Sequence, residues 1–174
     1  MAYDKRKHRI REARVGVDIG RVIINGDGPD TAFFGHDQAE ALRTPAVPGA
    51  FDGVAELVRR FGGGRVYLVS KCGPKIQERS LAWLGHHGFW AATGVDPAHV
   101  RFCRERRDKA QHARQLGLTH FVDDRFDVLS HLVGLVDRMY LFGPQRRRSQ
   151  QLPGMLLTPR WSDVLADLAW LDAS

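Results

Sequence analysis

The chain has 174 residues, 43% of them hydrophobic and 26% charged, the proportions of one ordinary globular domain with a real core. Its two cysteines, Cys72 and Cys103, provide neither a disulfide framework nor metal-type spacing, and no apolar run is long enough to cross a bilayer. The net charge of 26 − 20 = +6 favours anionic partners, either phosphorylated small molecules or nucleic acid.

In chain order, residues 1–14 come first, with six basic residues: Lys5, Arg6, Lys7, Arg9, Arg11 and Arg14. They read as a solvated tail rather than a nucleic-acid arm, because no aromatics interleave with them. The tail also lacks the apolar core of a signal peptide, so a cytoplasmic location is expected. Val15 to Ile19 predicts a buried strand carrying Asp18 near its end. Residues 25–49 read as loop, with one short helix near Gln38 to Leu42. Val54, Leu57, Val58 and Phe61 form a helical stripe that stops at Gly62-Gly63-Gly64.

Val66 to Val69 is a second strand, ending in Ser70-Lys71. Pro74 is placed to start a helix. His99 to Cys103 is a weak third strand. Asp108 is expected to cap a helix that begins near Lys109 and stops at Gly117. Thr119 to Val122 is a fourth strand, running into Asp123-Asp124. Val128, Leu129 and Leu132 mark a helix, Met139 to Phe142 a fifth strand, and Ser162 is expected to cap a final helix. A second basic cluster, Arg146-Arg147-Arg148, reads as loop. The four tryptophans Trp83, Trp90, Trp161 and Trp170 read as core. Alternating strands and helices predict an α/β fold: a three-layer α/β/α sandwich around a mostly parallel, five-stranded Rossmann-like sheet. Residues 15–174 make its single domain. No GxGxxG turn or GxxxxGK[ST] loop is present, so dinucleotide and P-loop readings lack support.

Ligand crevices in such sheets lie at the carboxyl ends of the strands. There the sequence places Asp18, Ser70, Lys71 and Asp123-Asp124, with Lys109 opening the helix before strand four. A carboxylate can attack phosphorus and form an aspartyl-phosphate. A hydroxyl and an ammonium can hold phosphoryl oxygens. An acidic pair supplies hard oxygen ligands for Mg²⁺. These are the parts that phosphoryl transfer needs. The histidines at 86, 87, 99, 112, 120 and 131 have no zinc-like spacing.

Asp18 with Val22-Ile23, Ser70, Lys109 and Asp123-Asp124 resembles the four ordered motifs of the haloacid dehalogenase (HAD) superfamily. The most specific match is the stretch from Lys109 to Arg125, a lysine, a short helix and a hydrophobic strand ending in two acids. The resemblance spans about residues 15–143. It implies Asp18 as nucleophile, Ser70 as phosphate-binding hydroxyl and Lys109 as charge clamp. It implies Mg²⁺ as cofactor, held by Asp18, Asp124 and the Gly20 carbonyl with support from Asp123. Arg21 and Lys71 join Ser70 and Lys109 as expected substrate contacts.

Family phosphatases usually carry an acid/base aspartate two residues after the nucleophile, and here that position is Gly20. Arg21 also replaces a usual glycine. His36, Asp27 and Asp30 are candidate substitutes for the missing acid, although plain turn chemistry accounts for them as well. The chain is too short between its motifs for a large cap domain. Two functional readings follow. The first is a Mg²⁺-dependent phosphomonoester hydrolase. The second is a catalytically weak or inactive module of the same fold that binds a phosphorylated ligand or a protein partner. The expected partner is a phosphorylated substrate, small or macromolecular, with no membrane. Nucleic acid and a homo-oligomer stay open.

Overall fold

The structure is a computed structural model that describes residues 12–26, 34–146 and 150–173, with side chains to residue 169. The basic segment 1–11, Asp27, Asp30, Arg147-Arg148 and the Trp170 side chain lie outside the described residues.

One sheet contains the strands β1 (Val15–Val17), β2 (Val66–Lys71), β3 (Val100–Cys103), β4 (His120–Asp123), β5 (Arg138–Phe142) and β6 (Met155–Thr158). Their order is β3-β2-β1-β4-β5-β6, and every neighbouring pair is parallel. The sheet therefore has six strands, not the expected five. The additional strand, β6, runs along one edge, with Met155 and Thr158 buried and Leu157 exposed. An edge strand needs only one partner, and four residues are too few to show a period.

The helices are α1 (Gln38–Arg43), α2 (Ala50–Phe61), α3 (Pro74–His86), α4 (Phe89–Thr93), α5 (Lys109–Leu116), α6 (Phe126–Ser130) and α7 (Trp161–Ala173). They cover both faces of the sheet, as parallel strands require. Val54, Leu57, Trp83, Phe89, Trp161 and Val164 pack in one core, while Ala113, Val128 and Leu129 pack with Phe121 and Met139 in the other. Trp90 packs against the first core half-buried, whereas Trp83 and Trp161 are fully enclosed. Both cysteines are free and buried.

β1 is central, and its neighbours leave it no room. A Cβ on Gly16 would meet the Phe121 ring at 2.6 Å, so only glycine fits between the two strands. A similar close approach seats α7 against α2. The Trp161 ring lies where a Gly53 Cβ would meet it at 2.4 Å, and the indole N–H donates to the Val22 carbonyl at 2.9 Å. That bond ties α7 to the loop after β1.

Two expected caps are replaced. Asp108 makes no side-chain cap bond to α5; its carboxylate turns back and accepts from the Glu105 N–H at 3.2 Å. Ser162 lies inside α7, and Asp163 accepts from the Arg160 N–H at 2.9 Å. Asp163 thus closes the start of α7 from inside its first turn, whereas Asp108 closes the short 3-10 turn Arg106–Asp108 that runs into α5.

From β1 the chain winds outward through β2 and β3, then returns to lay β4 against the other side of β1. The winding direction reverses between β1 and β4. A crevice opens at their carboxyl ends, where α/β sheets bind ligands.

Candidate active site

Asp18 follows β1 directly, and its backbone N–H donates to the Val122 carbonyl of β4 at 2.9 Å. Its Oδ1 accepts from the Ile19 N–H at 2.8 Å and lies 3.0 Å from Lys109 Nζ. Two donors on one oxygen fix the carboxylate's orientation. The turn beyond is tight: the Ile23 and Ile24 N–H groups both donate to the Ile19 carbonyl, and Arg21 N–H donates to Ile24. Its left-handed residue is Arg21, at φ 59. So the arginine adopts the backbone that a glycine would take without cost.

Lys109 is the first residue of α5, yet its side chain is only 2% exposed. Its ammonium reaches Asp123 Oδ2 at 2.6 Å as well as Asp18. Asp123 is fully buried at the end of β4, and its Oδ1 accepts from the Arg125 N–H at 3.0 Å. Asp124 follows, partly buried. Asp18, Asp123 and Asp124 each offer an oxygen, all within 4.8 Å of one another. No second group of three such ligands occurs among the described residues.

A cleft of about 330 Å³ opens over these groups. Asp18, Gly20, Arg21, Ser70, Lys71, Lys109 and Asp124 line it. Of the expected nucleophile, phosphate, substrate and metal contacts, only Asp123 is not a lining residue; it is bonded to Lys109, which is. His36 is not a lining residue; its N–H donates to Glu40 and its carbonyl accepts from Arg79.

Cys72, Gly73, Ile76, Arg106, Arg125 and Val128 also line the cleft and escaped the sequence reading. For the arginines a signal existed. Arg106 stands one helical turn before Lys109, and Arg125 directly follows the acidic pair.

Three carboxylates compete here for one buried ammonium. Burial works against the charged Lys109, but Asp123 and Asp18 outweigh it and hold its pKa above the ordinary lysine value. Burial pushes Asp123 up against the pull of Lys109, with Asp18 and Asp124 adding to the rise. Asp124 is raised to about 7, first by burial and then by Asp18. Burial likewise pushes the Cys72 thiol up to about 12, which keeps it inert beside the cleft. An all-oxygen, acid-rich set of this kind suits a hard divalent cation such as Mg²⁺, which takes one or two carboxylates and leaves positions for phosphate.

No family model matches the chain, and no curated protein matches it. Solved structures do. The crystal structure of D,D-heptose bisphosphate phosphatase from B. bronchiseptica, complexed with magnesium and phosphate, superposes with a TM-score of 0.62 at 16% identity. The match covers 91% of this chain and 98% of that one. A haloacid dehalogenase-like family hydrolase from Xanthomonas campestris gives a TM-score of 0.59 at 13% identity, covering 94% and 97% of the two chains. The fold is that of the haloacid dehalogenase-like hydrolases. A third such hydrolase, from Burkholderia xenovorans, matches at a TM-score of 0.52 and 17% identity over 72% of this chain and 59% of its own. Within this fold the polar strand ends seen in the sequence meet at the crevice between β1 and β4.

Proposed function

We propose that the chain is a Mg²⁺-dependent phosphomonoester hydrolase working through an aspartyl-phosphate on Asp18. The observation that carries this reading is Lys109, buried and bonded to both Asp18 and Asp123 at the floor of the cleft. Burying one cation among three acids costs free energy that a structural role would not require. The magnesium and phosphate bound by the heptose bisphosphate phosphatase support the same reading.

In this mechanism an Asp18 carboxylate oxygen attacks phosphorus. The ester P–O bond breaks, and its electron pair leaves on the ester oxygen, which takes a proton. Water then attacks the phosphorus of the acyl phosphate, releasing inorganic phosphate and a proton and restoring the carboxylate. Ser70 donates its hydroxyl to a phosphoryl oxygen, and Lys109 offsets phosphoryl charge as a point cation. Arg21 and Lys71 bind the substrate. Asp18, Asp124 and the Gly20 carbonyl would hold Mg²⁺, with Asp123 orienting Lys109 and the Arg125 amide. When bound, the ion neutralises charge on the phosphoryl oxygens.

The chain acts as one cytoplasmic domain without a large cap. Among the described residues no helix is long and apolar enough to cross a membrane.

A second reading, a weak or inactive module that binds a phosphorylated ligand or a protein partner, is favoured by one observation. Asp18 and Asp124 are the only Asp, Glu or His among the described lining residues, so among these none takes the place that Gly20 leaves, and the candidates Asp27 and Asp30 lie outside the described residues. Initial rates with acetyl phosphate, p-nitrophenyl phosphate and glycerol 3-phosphate at saturating Mg²⁺ separate the two. Turnover lost in Asp18→Asn supports the hydrolase; a wild type inert toward all three leaves the binding module.

A further inference from the structure

Trp161 belongs to the last helix of the chain, yet its polar atom is spent on the turn that follows the nucleophile. It is the first residue of α7 and is 1% exposed. Its ring packs over Gly53 and beside Phe142, with ring centroids 5.6 Å apart. A buried indole N–H needs an acceptor, and an orphaned one costs free energy. Here the acceptor is the Val22 carbonyl, at 2.9 Å and 139 residues away in sequence. Val22 is the fourth residue after Asp18.

The two sides of that turn are held differently. On the far side the Val47 N–H donates to the Ile23 carbonyl, and the Asn25 N–H donates to the Pro45 carbonyl, so segment 45–47 straps residues 23–25. On the near side Arg21 stands at φ 59, a backbone that persists only where its surroundings fix it. The Arg21 N–H closes inward on the Ile24 carbonyl at 2.8 Å. From outside, the indole holds the next residue, Val22. Gly20 and Arg21 lie between Asp18 and this anchor, and both line the cleft. Among the described residues no donor reaches the Gly20 carbonyl, which leaves its lone pairs to a cation. Releasing the Val22 carbonyl frees the adjoining torsions of Arg21, which then relaxes from the left-handed region and turns the Gly20 carbonyl with it.

We infer that Trp161 is a positioning residue for the cation site: its N–H holds the turn in the form that presents the Gly20 carbonyl and Arg21 to the cleft. The inference rests on the proposed ion site at Asp18, Gly20 and Asp124. It does not rest on hydrolysis, so it applies to the hydrolase and to the binding module alike.

Trp161→Phe keeps a ring against Gly53 and removes the N–H. Mg²⁺ titrated calorimetrically into the full chain should bind this variant at least about fivefold more weakly than the wild type, the scale of one net hydrogen bond. Thr93→Val is the control. It removes a buried hydroxyl that donates to the Phe89 carbonyl at 2.8 Å in α4, a helix with no residue in the cleft lining. Its Mg²⁺ affinity should stay within about twofold of the wild type. A folded Trp161→Phe with unchanged affinity overturns the inference and leaves the ion site standing. Equal losses in both variants trace to general loosening and overturn it as well. A wild type that binds no Mg²⁺ overturns the ion site and the inference together.

A second arm needs no Trp161 variant. The four tryptophans give four indole N–H cross-peaks in isotope-labelled protein. Trp83→Phe, Trp90→Phe and Trp170→Phe assign the peak of Trp161 by elimination. Linkage is reciprocal, so a bond that strengthens Mg²⁺ binding is itself strengthened by Mg²⁺. Trp83, whose indole donates to the Thr44 carbonyl at 2.8 Å, is the reference. At saturating Mg²⁺, hydrogen exchange at the Trp161 indole should slow at least about fivefold more than at Trp83. Equal slowing at both indoles overturns the inference even where Trp161→Phe fails to fold.

Discussion

Lys109 Nζ lies 2.6 Å from Asp123 and 3.0 Å from Asp18, so one ammonium joins the end of β4 to the end of β1. The two strands are neighbours in the sheet but about a hundred residues apart in the chain. A buried bridge of this kind is weak evidence of net stability, yet removing one partner is costly because the other charge stays buried.

Lys109→Met should therefore destabilise the fold as well as weaken phosphate binding. The expected loss is about 3–5 kcal/mol at neutral pH. Without the ammonium, the folded pKa of Asp123 rises further above its unfolded value. A carboxyl raised on folding gives stability at low pH that is lost as pH rises through the folded pKa. The deficit of the variant should thus shrink at pH 5 relative to pH 7.5. Urea unfolding at both pH values measures it. A deficit that is small and independent of pH would mean that Lys109 is not the counter-ion of buried Asp123.

The metal floor makes a second expectation. Mg²⁺ at 100 times its dissociation constant should stabilise the chain by about 2.7 kcal/mol. For a domain of this size that is a Tm rise of roughly 5–10 °C. Chelation with EDTA should reverse it. Asp124→Asn removes one ligand and one of three mutually repelling acids. Its metal-free form should be no less stable than the wild type, while its Mg²⁺-dependent Tm shift shrinks. Equal shifts in the two proteins would place the ion elsewhere.

His120 gives the fold its own pH dependence, separate from the site. Its imidazole is enclosed at the start of β4, with Tyr140 stacked at 6.4 Å and Thr119 Oγ1 2.8 Å from Nδ1. Burial lowers its pKa to about 4. The unfolded chain takes up this proton near pH 6.5, while the folded chain resists it. Stability from neutral His120 is therefore complete above about pH 6.5 and is lost as pH falls toward 4. At pH 5 the loss is about 2 kcal/mol, from roughly 1.36 kcal/mol per pH unit. His120→Phe keeps a ring in place and should lack this fall. The pH-dependent difference between the two proteins also cancels the titration of Asp123 and Asp124 at the far end of the strand. Equal falls between pH 7.5 and pH 5 would remove His120 as the cause.

The sequence made the alternation of strands and helices plain, and with it the polar strand ends. Asp18, Ser70 and Asp123-Asp124 are each the first polar residues after an apolar run, so their positions were legible. The strand order was not, because hydrophobic runs carry no record of which neighbour they pair with. Lys109 had an exposed helix start as its competing reading, since its burial depends on β1 and β4 meeting. Arg106 and Arg125 carried a signal only through their neighbours in the chain, Lys109 and the acidic pair. β6 passed unnoticed because its four residues are too few to show a period.

Gly20 divides the two functional readings, and the structure sharpens the experiment. The left-handed position in the turn belongs to Arg21, at φ 59, so Gly20→Asp does not place a carboxylate at that strained backbone. Gly20 lines the cleft beside Asp18 and Asp124, where a new aspartate can reach a leaving oxygen. If no group supplies general acid catalysis in the wild type, acyl and p-nitrophenyl phosphates should turn over far better than alkyl phosphates. Their leaving groups depart without protonation. Gly20→Asp should then raise kcat on glycerol 3-phosphate, up to about 10²–10⁴-fold, with little change on acetyl phosphate. The added charge also makes the floor more acidic, so the comparison needs saturating Mg²⁺ and a matched Gly20→Asn control that supplies the bulk without the proton. A gain shared by Gly20→Asn would assign the effect to shape. No gain in a folded Gly20→Asp, from a wild type already active on alkyl phosphates, would mean that another group does the work of the missing acid.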